Sequence, residues 1–322
     1  MKEIIIGTRG SKLALTQVQW VMSRLQAIYP EITFQIRVIH TRGDKLTHAN
    51  LAQAGGYGFF VKEIEDALLS KDIDLAVHSL KDMPAILPHG LKIGAICKRL
   101  DARDAFISKD GCKLEDIEPG SGIGTSSLRR QTQLKSFRPD LRVVDLRGNL
   151  DTRLKKLTGN RKEVAPLAGL PLQTELPEIS GIIVAAAGLY RLKMEGKITQ
   201  LLPLEPFLPA AGQGALALEV RNQDEIEVMV NVLNDQESMI TVFAERAFLE
   251  KIGVGCAAPV GVYARIAGDK LIVRGMISEH WEESQTGMSV LHWEEIEGPP
   301  QDYRKIGLLL GERMVRLGVK KK

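Results

Sequence analysis

Residues 122–153 constrain this chain more than any other stretch. Gly122-Ile123-Gly124 has the pattern of a short strand, and Thr125, Ser126 and Ser127 are candidate N-caps for a helix after it. Pro139 stops that helix, Leu141 to Val144 is a second short apolar strand, and another turn and helix come next. The arginines then fall against the local rule. Arg129 and Arg130 occupy the first turn of one helix, where the macrodipole favours acids. Arg147 precedes the next helix, and Arg153 lies in its first turns. Cations gathered on two positive helix ends repel each other unless an anion joins them, and a local rule broken twice marks a functional site. The expected ligand is a small molecule with several carboxylates or phosphates, held by guanidinium forks and helix N-termini. The alternative is a set of solvated arginines on exposed helix faces.

Composition supports a local basic site. The net charge is only +3, and the basic cluster lacks the interleaved aromatics that stack bases, so no nucleic-acid partner is expected. The longest apolar run, around residues 182–189, is too short to span a membrane, and no membrane partner is expected. The opening Met-Lys-Glu-Ile-Ile-Ile-Gly is expected to enter a strand at once, without a secretory leader. Cys97, Cys112 and Cys256 are odd in number and widely spaced, which indicates neither a disulfide framework nor a metal site. A reduced, cytoplasmic setting fits them. A chain of 322 residues is long enough for two or three domains.

Strands and helices alternate through the first two-thirds of the chain, which predicts a mainly parallel sheet with ligands at the carboxyl ends of its strands. A strand over 4–7 leads to Arg9 and then to Ser11, a candidate cap for a helix to about 28. A strand over 32–40 precedes the glycine-containing stretch 41–58, which reads either as a lid or as a plain surface loop. Phe60, Ile64 and Leu68 share one face of a helix over 59–69. The strand over 74–77 runs directly into His78-Ser79-Leu80-Lys81-Asp82, so Lys81 and Asp82 land on the same rim as Arg9, while His78 reads as a hydrogen-bonded core residue. After a strand over 91–96, the charged run 98–104 reads as a crossing between domains, and a strand over 105–108 opens a second alternating unit. The segment 158–181 carries Pro166, Pro171 and Pro177 and reads as an insertion. A strand over 182–185 leads to Arg191, a return connection covers 203–209, and a strand covers 213–220. Helices over 224–233 and 238–251, strands over 260–266, 271–277 and 287–292, and a helix over 301–317 predict a small antiparallel sheet with helices on one face. The fold class is therefore α/β with three domains: 1–99 with 203–221, 100–202, and 222–322. Cys256 lies in a Gly-rich turn and reads either as an inert thiol or as a nucleophile or attachment site.

Several motifs recur together in one order. They are Gly-Thr-Arg9-Gly-Ser11, Thr41-Arg-Gly-Asp44, His78-Ser-Leu-Lys81-Asp82-Met-Pro84, Gly124-Thr-Ser-Ser-Leu-Arg129-Arg130, Leu146-Arg147-Gly-Asn149, Ala187-Gly-Leu-Tyr-Arg191, Ala211-Gly-Gln213-Gly and Gly255-Cys256. With them the chain resembles the porphobilinogen deaminase (hydroxymethylbilane synthase) family of transferases, which serve porphyrin and heme biosynthesis. The resemblance covers nearly the whole chain. It implies two lobes like those of periplasmic-binding-protein folds, plus a smaller α+β domain with an antiparallel sheet. It also implies a monomer and a dipyrromethane cofactor attached through a thioether to Cys256. Four porphobilinogen molecules would be joined head to tail on that primer, each losing ammonia, before water releases the linear tetrapyrrole.

By the same resemblance, Lys81, Asp82, Ser127, Arg129 and Arg130 would hold the cofactor, with Asp82 and Lys81 catalytic. Arg9, Ser11, Phe60, Arg147, Arg153 and Arg191 would bind substrate. Each pyrrole unit brings an acetate and a propionate, which is the anion the arginines require. Asp82, ionised among cations, would stabilise the positive charge that develops as ammonia leaves and would orient the pyrrole N–H. Three features depart from the family: Tyr57 stands where it commonly has Lys, Val254 replaces a Gly before Gly255, and 158–181 is longer than usual. The competing readings are a two-lobed binder of small anions, a regulator's effector domain, and a catalytically impaired relic. A binder has no use for a cysteine-bearing third domain, and a regulator needs a helix-turn-helix where this chain opens in a strand.

Overall fold

The computed structural model describes residues 3–41, 61–159, 178–223, 225–253, 258–278 and 290–317. In chain order the first half forms β1 (Glu3–Thr8), α1 (Lys12–Ile28), β2 (Thr33–Val38), α2 (Lys62–Leu69), β3 (Leu75–Ser79), β4 (Leu91–Ile96), β5 (Asp104–Ser108), β6 (Gly122–Gly124), α3 (Leu128–Phe137), β7 (Arg142–Val144) and α4 (Leu150–Thr158). The second half forms β8 (Ile179–Ala185), α5 (Ala186–Arg191), β9 (Gln200–Leu201), β10 (Leu216–Arg221), α6 (Glu225–Val230), α7 (Gln236–Ile252), β11 (Val260–Ala267), β12 (Lys270–Ser278), β13 (Leu291–Gly298) and α8 (Tyr303–Arg316).

Two five-stranded sheets share one plan, β2-β1-β3-β10-β4 and β7-β6-β8-β5-β9. The first three strands of each are parallel. The fourth runs antiparallel to both its neighbours. The sequence predicts mainly parallel sheets, and the antiparallel strands have a common cause. Each is the strand the chain forms on arriving from the other lobe: β5 after the outward crossing, β10 after the return. A chain entering from the hinge side runs against strands that end near the hinge.

The first lobe buries Ile4 and Ile6 of β1, Val18, Val21 and Leu25 of α1, and Leu75 and Val77 of β3 in one cluster. Val18, Val21 and Leu25 recur at helical spacing, so α1 turns one apolar stripe to the sheet. Ile226, Met229 and Val230 of α6 join that cluster. This corrects the expected boundary at 221, since α6 belongs to the first lobe's core. In the second lobe β8 carries Ile182, Ile183 and Val184, all buried, so both of its faces are covered. That agrees with its unbroken apolar run.

The third sheet, β11-β12-β13, is antiparallel throughout. Its inner face packs Val262 and Val273 against Phe248 of α7 and Leu310 of α8. A Cβ on Gly311 would come within 2.6 Å of Lys251 Cβ, so glycine lets α8 lie close on α7. The last strand is not the expected 287–292 but Leu291–Gly298. Glu294, Glu295 and Glu297 make it look like a loop, yet it pairs along β12 from Ser278 to Leu271. Charge is what an exposed edge strand tolerates and what discourages further pairing. Among the described residues, no helix is long and apolar enough to cross a membrane.

Candidate functional site

The site grows from the carboxyl ends of parallel strands. Arg9 comes after β1, Lys81 and Asp82 after β3, Arg129 and Arg130 after β6, Arg147 and Arg153 after β7, and Arg191 after β8. Leu80, Lys81 and Asp82 form a single 3-10 turn. Leu80 anchors it: its side chain is 1% exposed and its N–H donates to the Ala215 carbonyl at 3.1 Å. Just beyond, Arg246 of α7 donates to the carbonyls of Pro84 (2.8 Å) and Ala85 (3.0 Å), tying the turn to the third unit.

The two crossings touch beside this turn. Gly214 has φ +94°, and a Cβ there would lie 2.5 Å from the Leu100 carbonyl oxygen, so only glycine fits. Next to it, Gln213 donates through Nε2 to the Ala102 carbonyl (2.7 Å) and to Asp104 Oδ1 (2.8 Å). The other end of its amide accepts from Lys81 Nζ at 3.4 Å. Gln213 thus joins the first lobe's lysine to the second lobe's aspartate.

Asp104 answers the arginine anomaly. Its carboxylate accepts from Arg129 Nη1 and Arg130 Nη2, both at 2.8 Å, and is fully buried. The sequence alone requires an outside anion for these arginines; the structure corrects that, because one comes from the chain itself. Arg129 also donates to the Leu208 carbonyl at 2.5 Å and Arg130 to the Ile183 carbonyl at 3.2 Å. Gln133 of α3 fastens the same return crossing by accepting from Leu208 N at 2.6 Å. One buried acid between two buried arginines leaves a cation in excess, and among the described residues Arg130 Nε is buried without a partner.

Burial and charge together set the protonation equilibria. Burial opposes the Asp104 anion, but Arg129 and Arg130 outweigh it and hold the carboxyl well below the usual range. Burial, then the Arg130 charge, push the Lys81 ammonium down to about 8, with Asp82 and Asp104 opposing. Burial and Arg130 also lower Arg153 to about 10, against Asp145 and Asp82. Lys81, Asp82, Asp104, Arg129, Arg130 and Arg153 therefore feel one another across the lobes.

The remaining candidates stand at varying distance from this group. Arg153 donates from Nε to the Gly148 carbonyl at 2.8 Å. Arg147 pairs with Asp145 at 2.8 Å, with its side chain 45% exposed. Arg191 is held apart, donating to the Gly214 carbonyl at 2.8 Å beside Cys97, and burial lowers it to about 10. Arg9 is half-buried at the end of β1. Ser11 caps α1, its oxygen accepting from Ala14 N at 3.2 Å. Ser127 occupies the cap position of α3 without a side-chain cap bond, and its N–H donates to Thr125 Oγ1 at 3.2 Å. His78 is hydrogen-bonded in the core, as expected, to Glu219. Phe60, Tyr57, Val254 and Cys256 lie outside the described residues, as do 42–60 and most of the 158–181 insertion.

Sequence reasoning missed Asp104, Gln213 and Asp145. The first had a signal: an acid opening an otherwise apolar strand, Asp104-Ala-Phe-Ile, has to find a cation.

The description "Porphobilinogen deaminase, dipyromethane cofactor binding domain" matches residues 4–228, and "Porphobilinogen deaminase, C-terminal domain" matches 239–316. Relatives carrying the name porphobilinogen deaminase include that of Brevibacillus brevis, 46% identical over 84% of this chain and 83% of its own. That of Carboxydothermus hydrogenoformans is 41% identical over 99% and 96%, and that of Deinococcus deserti 43% identical over 99% and 97%.

Proposed function

The chain belongs to the porphobilinogen deaminase family, and from that premise we propose how its own residues perform the deaminating polymerisation of porphobilinogen. It is a transferase of tetrapyrrole synthesis with a dipyrromethane cofactor. The donor set suits that group. Among the described residues, Lys81 makes a single 3.4 Å amide contact, Arg153 bonds one carbonyl, and Arg130 Nε is a buried donor with no partner. Spare cationic donors of this kind are what a pyrrole chain lined with acetates and propionates satisfies.

When bound, the dipyrromethane would supply the free pyrrole carbon to which the first new unit is joined. Lys81, Arg129, Arg130 and Ser127 hold its carboxylates. Arg9, Ser11, Arg147, Arg153 and Arg191 receive those of the incoming unit, and Phe60 is assigned to substrate binding with them. Asp82 stands on the turn next to Lys81 and accepts from pyrrole N–H groups. The amine of porphobilinogen leaves as ammonia, and the positive charge left on the substrate is stabilised by the Asp82 carboxylate. Cys256 carries the cofactor as a thioether. We further propose that the enzyme works as a monomer in the cytoplasm, where the unpaired Cys97 and Cys112 stay reduced.

The observation that carries this reading is the linked group Lys81–Gln213–Asp104–Arg130, in which cations outnumber the acid between two lobes. The test is Asp82→Asn. It should lower kcat about 10²–10³-fold, the usual cost of losing one preorganised charge-stabilising group, while the melting temperature holds. Near-normal turnover would remove Asp82 from the chemistry.

A further inference from the structure

A second titratable cluster lies inside the first lobe, under α2. His78 Nε2 is 2.9 Å from Glu219 Oε2, which joins β3 to β10. The helix that carries Glu65, α2, packs on both β3 and β10, and Glu65 feels the charges of Glu219 and His78. Glu219 is fully buried, and His78 and Glu65 are each 5% exposed. One oxygen of each carboxylate, Glu65 Oε1 and Glu219 Oε1, is buried without a partner among the described residues. Apolar side chains surround the three: Ile64, Leu68 and Ala76 in one cluster, Val61, Leu80 and Ala217 in another. Two ionised carboxylates repel strongly in such an interior, whereas a proton on one makes the pair a donor and an acceptor. Burial, then the Glu219 charge, push the Glu65 carboxyl up to about 7; His78 opposes and Asp66 adds.

This cluster bears on the turn that carries the chemistry at two points. His78 lies three residues before Lys81 in the chain. Val61, one helical turn before Glu65, packs in the same cluster as Leu80, the residue that anchors Lys81 and Asp82. The seating of α2 on the sheet therefore helps to set the position of both.

We propose that Glu65 is a positioning residue for the reaction: a proton held between Glu65 and Glu219 seats α2 on the His78–Glu219 pair and so fixes the turn of Lys81 and Asp82. The reaction itself is taken from the family reading. The groups facing Glu65 are His78 of β3 and Glu219 of β10, with Glu63 and Asp66 on its own helix. β1 and β4 bring Ile5 and Leu91 to the apolar cluster around α2, while Arg221 bonds the carbonyls of Leu68 and Ile73 at the far end. The sign is fixed by the raised value: the stability Glu65 contributes is complete below its ordinary 4.5 and is lost as pH climbs through about 7.

Glu65→Gln in the full-length holoenzyme keeps the shape and a donor but removes the titration. The infrared band of a protonated carboxylic acid should be present in the wild type at about pH 6 and absent in the variant. The ratio of variant to wild type, in kcat and in unfolding midpoint, should rise between about pH 6 and about pH 9, by about threefold in kcat with KM little moved. A ratio cancels whatever Lys81 contributes. Glu219→Gln, which removes the second carboxylate, should abolish the same pH-dependent loss and serves if Glu65→Gln folds poorly. Parallel pH profiles with an unchanged infrared band would overturn the proposal. So would a loss of kcat equal at every pH, which marks a side chain that only fills space. The infrared and unfolding readouts need no turnover, so a failure of the family reading would show separately, as an inactive wild type with the proton in place.

Discussion

Lys81 and Asp82 of the first lobe occupy the same kind of place as Arg129, Arg130 and Arg153 of the second: the carboxyl ends of strands in matching sheets. The connections leaving those strands differ. After β3 the chain makes one 3-10 turn, which sets a lysine and an aspartate side by side with no long helix behind them. After β6 and β7 it makes longer helices, and their starts carry arginines. In the proposed mechanism the first lobe thus balances charge at the reacting centre, while the second gathers positive charge and calms it with one buried acid. Equal sheets with unequal loops teach that the division of labour lies in the connections.

Breaking the second lobe's balance should give the largest effect. Asp104→Asn leaves Arg129 and Arg130 buried without their shared carboxylate, and should cost about 3–5 kcal/mol in urea unfolding. A loss under about 1 kcal/mol would mean that the arginines are neutralised elsewhere and the contrast between lobes is drawn wrongly. A pH series sharpens the first lobe's side. Lys81 should lose its proton around 8, so the catalytic efficiency should fall on an alkaline limb there that Lys81→Arg removes. Its value is depressed, so its charged form is a folding penalty that is relieved as pH rises from about 8 towards 10.5: affinity for the anion and stability should move in opposite directions. The smallest effect belongs to Arg147→Ala. This side chain is 45% exposed on Asp145, and its removal should shift stability by less than about 1 kcal/mol while raising KM a few-fold. A melting shift as large as that of Asp104→Asn would make it structural.

Much of this was legible in the residues. Strand–helix alternation placed the rim, and the rim placed Arg9, Lys81, Asp82 and the arginines, because position relative to a strand end is a local property. The antiparallel β5 and β10 were not legible, since strand direction depends on where the chain enters a lobe. Nor was Asp104 as a partner of Arg129 and Arg130, which are 25 and 26 residues away in sequence. Gln213 is further still, and a neutral amide gives no charge signal. The edge strand Leu291–Gly298 was hidden because its acids obey the rule for edges rather than for cores.

The central claim is that the reacting charge sits on the first lobe's Asp82, while the second lobe's arginines take up the growing carboxylate load. Mass spectrometry of the intact holoenzyme tests it most directly, with porphobilinogen supplied a few equivalents at a time and each added unit read as a mass step on the protein. Asp82→Asn should fail from the first addition onward, at every chain length alike. Arg153→Ala should make the early additions and then accumulate at later ones, as the growing carboxylate load outruns the remaining cations. If both variants stop at the same step, or if Arg153→Ala fails at the first, holding and reacting are not divided between the lobes.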